Sequence, residues 1–111
     1  AGGDFVKIAK DYSTRLQHVH CKDIRKDILN IAIKDDLSFI NAFFAGAFTV
    51  PGDGCINYKN FLKILKDFNY KGWLVVEAEQ DPKKANPFEY GKIGFNHLKK
   101  IALDCGFEIT R

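Results

Sequence analysis

The chain has 111 residues, 46% hydrophobic and 28% charged, values of one globular domain or less and not of a disordered segment. Seventeen basic against fourteen acidic residues leave a net charge of +3, spread without a basic block, which does not point to nucleic acid. No apolar run approaches the ~20 residues of a membrane helix, no basic-then-apolar leader opens the chain, and three cysteines without CxxC spacing fit a reducing cytoplasm better than a disulfide framework. Methionine is absent, even from position 1, and Ala1-Gly2-Gly3 reads as a loop. The expectation is a piece of a longer protein.

Asp4 suits an N-cap, and Phe5, Ile8, Ala9 and Tyr12 recur at helical spacing to about Arg15. Leu16 to Lys22 alternates, with His18, His20 and Lys22 on one face and Val19 and Cys21 on the other, which predicts a short strand. Asp23 is the expected cap of a second helix carrying Ile24, Ile28, Ile31 and Ala32. Asp36-Leu37-Ser38 restarts a shorter helix through Phe39, Ala42 and Phe43, ended by Gly46. Pro51-Gly52-Asp53-Gly54 is a dense turn signal within the apolar segment Phe48 to Asn57. Tyr58 to Phe68 is amphipathic, with Phe61, Leu62, Ile64, Leu65 and Phe68 expected to face inward. Trp73-Leu74-Val75-Val76 is a continuous apolar run that reads as a parallel strand buried on both faces. Asp81 to Pro87 is a loop, and Phe88 to Cys105 a long helix.

A strand, a helical crossover and a second buried strand make one βαβ unit with parallel strands. Two parallel strands leave two unpaired edges and are not a self-sufficient sheet. Trp73, Val75, Phe5 and Phe39 are candidates for apolar surface that further structure would cover.

In α/β folds the chemistry gathers at the carboxyl ends of parallel strands. Here those ends carry His18, His20, Lys22 and Asp23 on one strand, and Glu77 and Glu79 on the other. A histidine and a glutamate at one end of neighbouring strands suit Mn, Co, Zn or Fe, although a bare HxH is more often a surface or packed pair. A carboxylate straight after four apolar residues needs a partner, which favours ligation. Lys22 is either an acid/base group or one half of an ion pair with Asp23 or another carboxylate. Glu79 is a second ligand, a base or a solvated carboxylate. The Pro51–Gly54 turn is a lid or a plain connection. Cys21, Cys55 and Cys105 read as buried thiols and His97 as a surface residue.

Five segments carry a resemblance. They are His18-Val19-His20-Cys21-Lys22-Asp23, Leu37-Ser38-Phe39, Phe48-Thr49-Val50-Pro51-Gly52-Asp53-Gly54-Cys55-Ile56, Gly72-Trp73-Leu74-Val75-Val76-Glu77-Ala78-Glu79-Gln80-Asp81-Pro82 and Ala85-Asn86-Pro87-Phe88-Glu89-Tyr90. In order and across the whole chain, they resemble the C-terminal part of the inosose dehydratase family, within the xylose-isomerase-like TIM-barrel superfamily. The resemblance implies an α/β fold, the C-terminal part of a (β/α)8 barrel truncated at its N-terminus. The elements would be helix six, strand seven, the helices after it, strand eight and helix eight. A full barrel needs about 250 residues, so the expectation is a single partial domain over residues 1–111, inactive alone.

The resemblance also implies a metal held by a Glu, an Asp, a His and a Glu, of which the last two match His20 and Glu77. The implied cofactor is a divalent ion, Mn or Co, with glutathione described for family members, though nothing in these residues shows a glutathione site. The implied reaction is dehydration of 2-keto-myo-inositol (scyllo-inosose), a cyclic polyol ketone, in inositol catabolism. Lys22 and Glu79 are the candidate catalytic groups, and His18 and Asp53 the candidate substrate contacts. Neither nucleic acid nor membrane is an expected partner, and homo-oligomerisation stays open. A metal-dependent ketose isomerase or epimerase on the same barrel is the alternative reading, with a non-enzymatic structural module behind it. An abasic-site endonuclease would need a richer His/Asp zinc cluster and a basic face, and neither is visible here.

Overall fold

The computed structural model describes residues 3–110, so the Ala1-Gly2 part of the expected opening loop lies outside the described residues. The chain order is α1 (Phe5–Asp11), a 3-10 turn (Ser13–Arg15), β1 (His18–Cys21), β2 (Asp23–Ile24), α2 (Lys26–Lys34), α3 (Phe39–Ala45), β3 (Phe48–Thr49), α4 (Tyr58–Asp67), β4 (Trp73–Val76) and α5 (Pro87–Asp104). β1 and β4 pair in parallel, with His18 opposite Trp73, His20 opposite Val75 and Cys21 opposite Val76. β2 and β3 form a separate antiparallel ladder, Asp23 opposite Thr49 and Ile24 opposite Phe48.

The expected helix starts and stops have visible causes. The Asp4 carboxylate accepts from the Lys7 amide, Ser38 Oγ from the Asn41 amide, and Asn86 Oδ1 from the Phe88 and Glu89 amides with Pro87 in the first helical turn. Gly46 ends α3 in the left-handed region at φ 87°, where a side chain would be strained. The core lies between the β1–β4 pair and helices α4 and α5. Cys21, Tyr58 and Leu98 form one buried cluster, and Leu62, Leu65 and Ala102 another, bridged by Val19, Phe61, Leu74 and Ile101.

Several expectations are corrected. Asp23 is not the cap of α2: Arg25 holds that position without a side-chain cap bond, and the Asp23 carboxylate is fully buried. The first strand stops at Cys21 because the chain then turns to pair with β3, a two-residue strand that apolar periodicity is too short to reveal. The first helix ends at Asp11, four residues early, in a 3-10 turn. Phe68 and Cys55 face solvent, while His97 is half-buried, its ring edge-on to Tyr58 at 6.4 Å between centroids. Trp73 is 69% exposed, because its side of β4 borders an open groove of about 980 Å³ between the sheet edge and α5. Phe5 and Phe39 are exposed as expected of surface awaiting a cover, whereas Val75 is half-buried.

Gly94 is where α5 meets β4. A Cβ there would lie 2.6 Å from Val76 Cγ1 and 3.0 Å from Val50 Cβ, whereas a Cβ at Gly91, one turn earlier, meets nothing within 4 Å. In the full-length protein, Gly94→Ala is therefore expected to lower stability by about 1–3 kcal/mol through overpacking. Gly91→Ala should raise it by up to about 1 kcal/mol through helix propensity. Urea denaturation midpoints check both, and a neutral Gly94→Ala would show that α5 can move off the strand.

Candidate active site

The parallel ladder ends with the Glu77 amide donating to the Cys21 carbonyl at 3.0 Å, and the candidate residues cluster just past that point. His20 Nδ1 lies 2.7 Å from Glu77 Oε2. Lys22 Nζ reaches Glu77 Oε1 at 3.1 Å and Glu79 Oε2 at 2.9 Å. The His18 ring stands beside that of His20, 5.2 Å between centroids. Five candidates thus meet on one side of the strand ends: His18, His20, Lys22, Glu77 and Glu79. Lys22 pairs with the two glutamates and not with Asp23, because successive strand residues point to opposite faces.

The hydrogen bond from His20, then that from Lys22, holds the Glu77 carboxyl below its ordinary range. Partial burial pulls the Lys22 ammonium down, but hydrogen bonds to Glu79 and Glu77 and their charges outweigh it, leaving Lys22 above its usual value. Both groups are therefore charged at neutral pH. Being partly exposed, these pairs order the side chains more than they stabilise the fold.

Asp53 lies in a second cluster. Its Oδ2 accepts from Arg25 Nη2 at 2.6 Å and from the Thr49 hydroxyl at 2.6 Å. Arg25 also donates to the Gly46 carbonyl at 2.7 Å, and Gln80 Nε2 to Thr49 Oγ1 at 3.3 Å. The turn that carries Asp53 is packed down as a wall. Val50 and Pro51 are buried, and the Asp23 carboxylate accepts from the Gly52 amide at 3.3 Å and the Ile56 amide at 3.0 Å. Gly52 sits at φ 92° with the His97 ring 2.5 Å from where its Cβ would be, and a Cβ at Gly54 would fall 2.2 Å from Asp23 Oδ1.

Arg25, Thr49, Tyr58 and Gln80 join these clusters without a motif of their own in the sequence. Tyr58 is buried and its hydroxyl donates to the Lys22 carbonyl at 2.7 Å, fixing the backbone beneath the lysine. A threonine inside the apolar stretch Phe48–Pro51 was the available signal, since a buried hydroxyl needs partners.

The donors present suit a divalent ion as far as they go. His20 and Glu77 are an imidazole and a carboxylate, ligand types that Zn, Mn or Co take, and the 2.7 Å between His20 Nδ1 and Glu77 Oε2 is a hydrogen bond that such an ion would have to replace. Lys22 occupies the other oxygen of Glu77 and leaves that face open. Among the described residues no group of three or more His, Cys, Asp or Glu side chains gathers to complete such a site.

A sequence profile of xylose isomerase-like TIM barrels matches residues 1–101. The chain belongs to this family. The strand-end cluster lies where such barrels carry their active sites, at the C-terminal ends of the strands. Over 99% of the chain, 46% of residues are identical to the rhizopine catabolism protein MocC of Rhizobium meliloti, of which 34% is covered. An inosose dehydratase of Clostridium beijerinckii is 47% identical over 90% of the chain and 34% of its own length. Another, from Clostridium tetani, is 51% identical over 81% of the chain and 30% of its length. The chain thus spans about a third of the length of the curated relatives it matches. Among the described residues no helix is long and apolar enough to cross a membrane.

Beneath this cluster, burial pushes the Cys21 thiol from 9.0 up to about 12, and burial likewise raises the Tyr58 hydroxyl above 10.0. A raised folded-state value means the contribution is whole below the unfolded value and is lost as pH rises through the folded one. Stability of the full-length protein should therefore fall between pH 9.0 and about 12. Cys21→Ala should start less stable but fall less steeply over that interval. Denaturation midpoints against pH measure this, and equal slopes would mean that water reaches the thiol.

Proposed function

We propose that this chain supplies the last two strands and closing helix of an inosose dehydratase barrel, β1 and β4 being its strands seven and eight. The observation behind the reading is the 47–51% identity to relatives bearing that name, over at least four fifths of the chain. In the full-length protein, a C–H bond next to the ketone of 2-keto-myo-inositol is broken and the hydroxyl on the following carbon leaves as water. His20 and Glu77 hold a divalent ion, Mn or Co, with carboxylates from elsewhere in the barrel, and when bound it polarises the ketone oxygen.

The remaining chemistry belongs to side chains of this chain. Glu79 takes the proton from carbon as its carboxylate. Lys22, kept charged by two glutamates, donates a proton to the departing hydroxyl. The 2.9 Å contact between Lys22 and Glu79 then lets the captured proton return to the amine, restoring both groups. His18 beside His20 meets a substrate hydroxyl, and Asp53, whose Oδ2 is committed to Arg25 and Thr49, offers Oδ1 to another. The Pro51–Gly54 wall keeps water from the electron-rich intermediate. The 46% identity to the rhizopine catabolism protein supports a second reading, in which the same groups serve a substrate of that pathway.

With Mn or Co added, the full-length protein should convert 2-keto-myo-inositol to the trihydroxycyclohexane-dione. Isomerised ketose instead of dione would favour the epimerase alternative. His20→Ala should remove bound metal and turnover together, as expected of a ligand, whereas a structural histidine would lose stability and keep its metal. Lys22→Met should retain metal and lose turnover by roughly 10²-fold or more. Near-normal turnover in that variant would return Lys22 to a purely structural ion pair.

A further inference from the structure

Two polar side chains are fully buried among the described residues, Asp23 and Thr49, and they face each other across the β2–β3 ladder. Asp23 follows Lys22 directly in the chain. Gln80, which donates to Thr49, follows Glu79 directly. Thr49 therefore stands between the backbone carrying the candidate acid and the backbone carrying the candidate base.

That position matters because the parallel ladder cannot hold these two groups together. It ends at Cys21 and Val76, with one further bond from the Glu77 amide. Past it, β1's continuation swings away to pair with β3, and residues 77–80 have no strand partner. Besides the Lys22–Glu79 pair itself, the tie back is the Thr49 hydroxyl. A hydroxyl has one proton to give and two lone pairs to receive. Thr49 gives to Asp53 Oδ2 at 2.6 Å and receives from Arg25 Nη2 at 3.1 Å and Gln80 Nε2 at 3.3 Å, so its whole capacity is in use. Arg25 and Asp53 fix where the oxygen sits, and the Gln80 bond brings the end of the β4 segment to it.

We infer that Thr49 is a positioning residue that sets the separation of Lys22 and Glu79 by anchoring Gln80. The inference rests on the reading in which those two groups exchange protons with the substrate. Without the anchor, Lys22 keeps Glu77 while Glu79 drifts from the reacting carbon. Misplacement by about 1 Å is enough to reduce turnover up to ~10²-fold. Substrate and ion, held mainly by other residues, are less affected, so kcat falls while KM stays nearly constant.

The test uses the full-length protein with Mn and 2-keto-myo-inositol, comparing Thr49→Val, Thr49→Ser, Gln80→Leu and the Thr49→Val/Gln80→Leu pair. Gln80→Leu breaks the same bond from a half-buried position and leaves Thr49 its Arg25 and Asp53 partners, so it reports even if Thr49→Val folds poorly. Thr49→Val and Gln80→Leu should each lower kcat about 10-fold with KM within roughly threefold, and Thr49→Ser should stay near wild type. The double variant should be no slower than Thr49→Val, because both remove one link. Hydrogen exchange of the Glu77 amide, which donates to the Cys21 carbonyl, should quicken in Thr49→Val and Gln80→Leu and stay unchanged in Thr49→Ser. Multiplying effects in the double variant, unchanged kcat in Gln80→Leu, or unchanged exchange would each overturn the inference. If exchange behaves as expected while wild-type protein forms no dione, the anchor stands and the dehydratase reading fails.

Discussion

The carboxylate of Asp23 is the constraint around which the strand-end region is built. It is buried with no cation against it among the described residues, and it accepts instead from three backbone amides, those of Ile24, Gly52 and Ile56. A charge withdrawn from water survives only with such compensation. The compensation works in both directions. The anion holds the turn at Gly52 and the chain at Ile56, and these segments exclude water from the anion. Glycine at 54 follows, because any side chain there would occupy the space of the carboxylate. Since Asp23 and Lys22 are adjacent, the same anchor determines where the lysine leaves the strand, and Tyr58 secures the intervening carbonyl from below.

Above that anchor, Glu77 is shared. One oxygen faces His20 and the other Lys22, so a single side chain joins the candidate metal ligands to the candidate proton donor. The arrangement separates charge by function. On the proposed reading a cation at His20 would meet the Oε2 side of Glu77, while the lysine ammonium is held on the other oxygen and by a second glutamate. The hydrogen bonds and charges of the two carboxylates outweigh partial burial, and Lys22 keeps its proton. The neutral thiol of Cys21, pushed up to about 12 by burial, adds no competing soft ligand below the histidine.

What the sequence makes legible is the part governed by long periodicities and chain-end chemistry. Helices α4 and α5, the parallel pairing of β1 with β4, and the gathering of His20, Lys22, Glu77 and Glu79 at one end follow from alternation, apolar runs and capping residues. Hidden from such reasoning is whatever rests on one residue. An aspartate before a helix is a cap by every local rule, yet Asp23 folds inward because Gly52 and Ile56, about thirty positions on, bring it amides. β3 is two residues long, below the length at which alternation can be read. Trp73 opens an apolar run, and its exposure on a strand edge with no neighbour among the described residues is that of apolar surface which further structure would cover. Family resemblance supplied what periodicity could not, the pairing of one histidine with one glutamate across more than fifty residues of chain.

The close approaches around the turn at Pro51 have a consequence for how this part of the protein can vary. Gly52 is shaped by His97, Gly54 by Asp23, and Gly94 by Val76, Val50 and Pro51 together. Each glycine is complementary to a side chain on a different element, so the turn, β2, β4 and the middle of α5 form one interlocking surface. In recombining such barrels, a crossover placed between residues 54 and 94 would pair a turn from one parent with a helix from another and set side chain against side chain. Breakpoints that keep residues 23 to 97 together avoid this. The heritable module is the whole block from β2 through the turn and β4 into α5, and the turn alone is not a transplantable part.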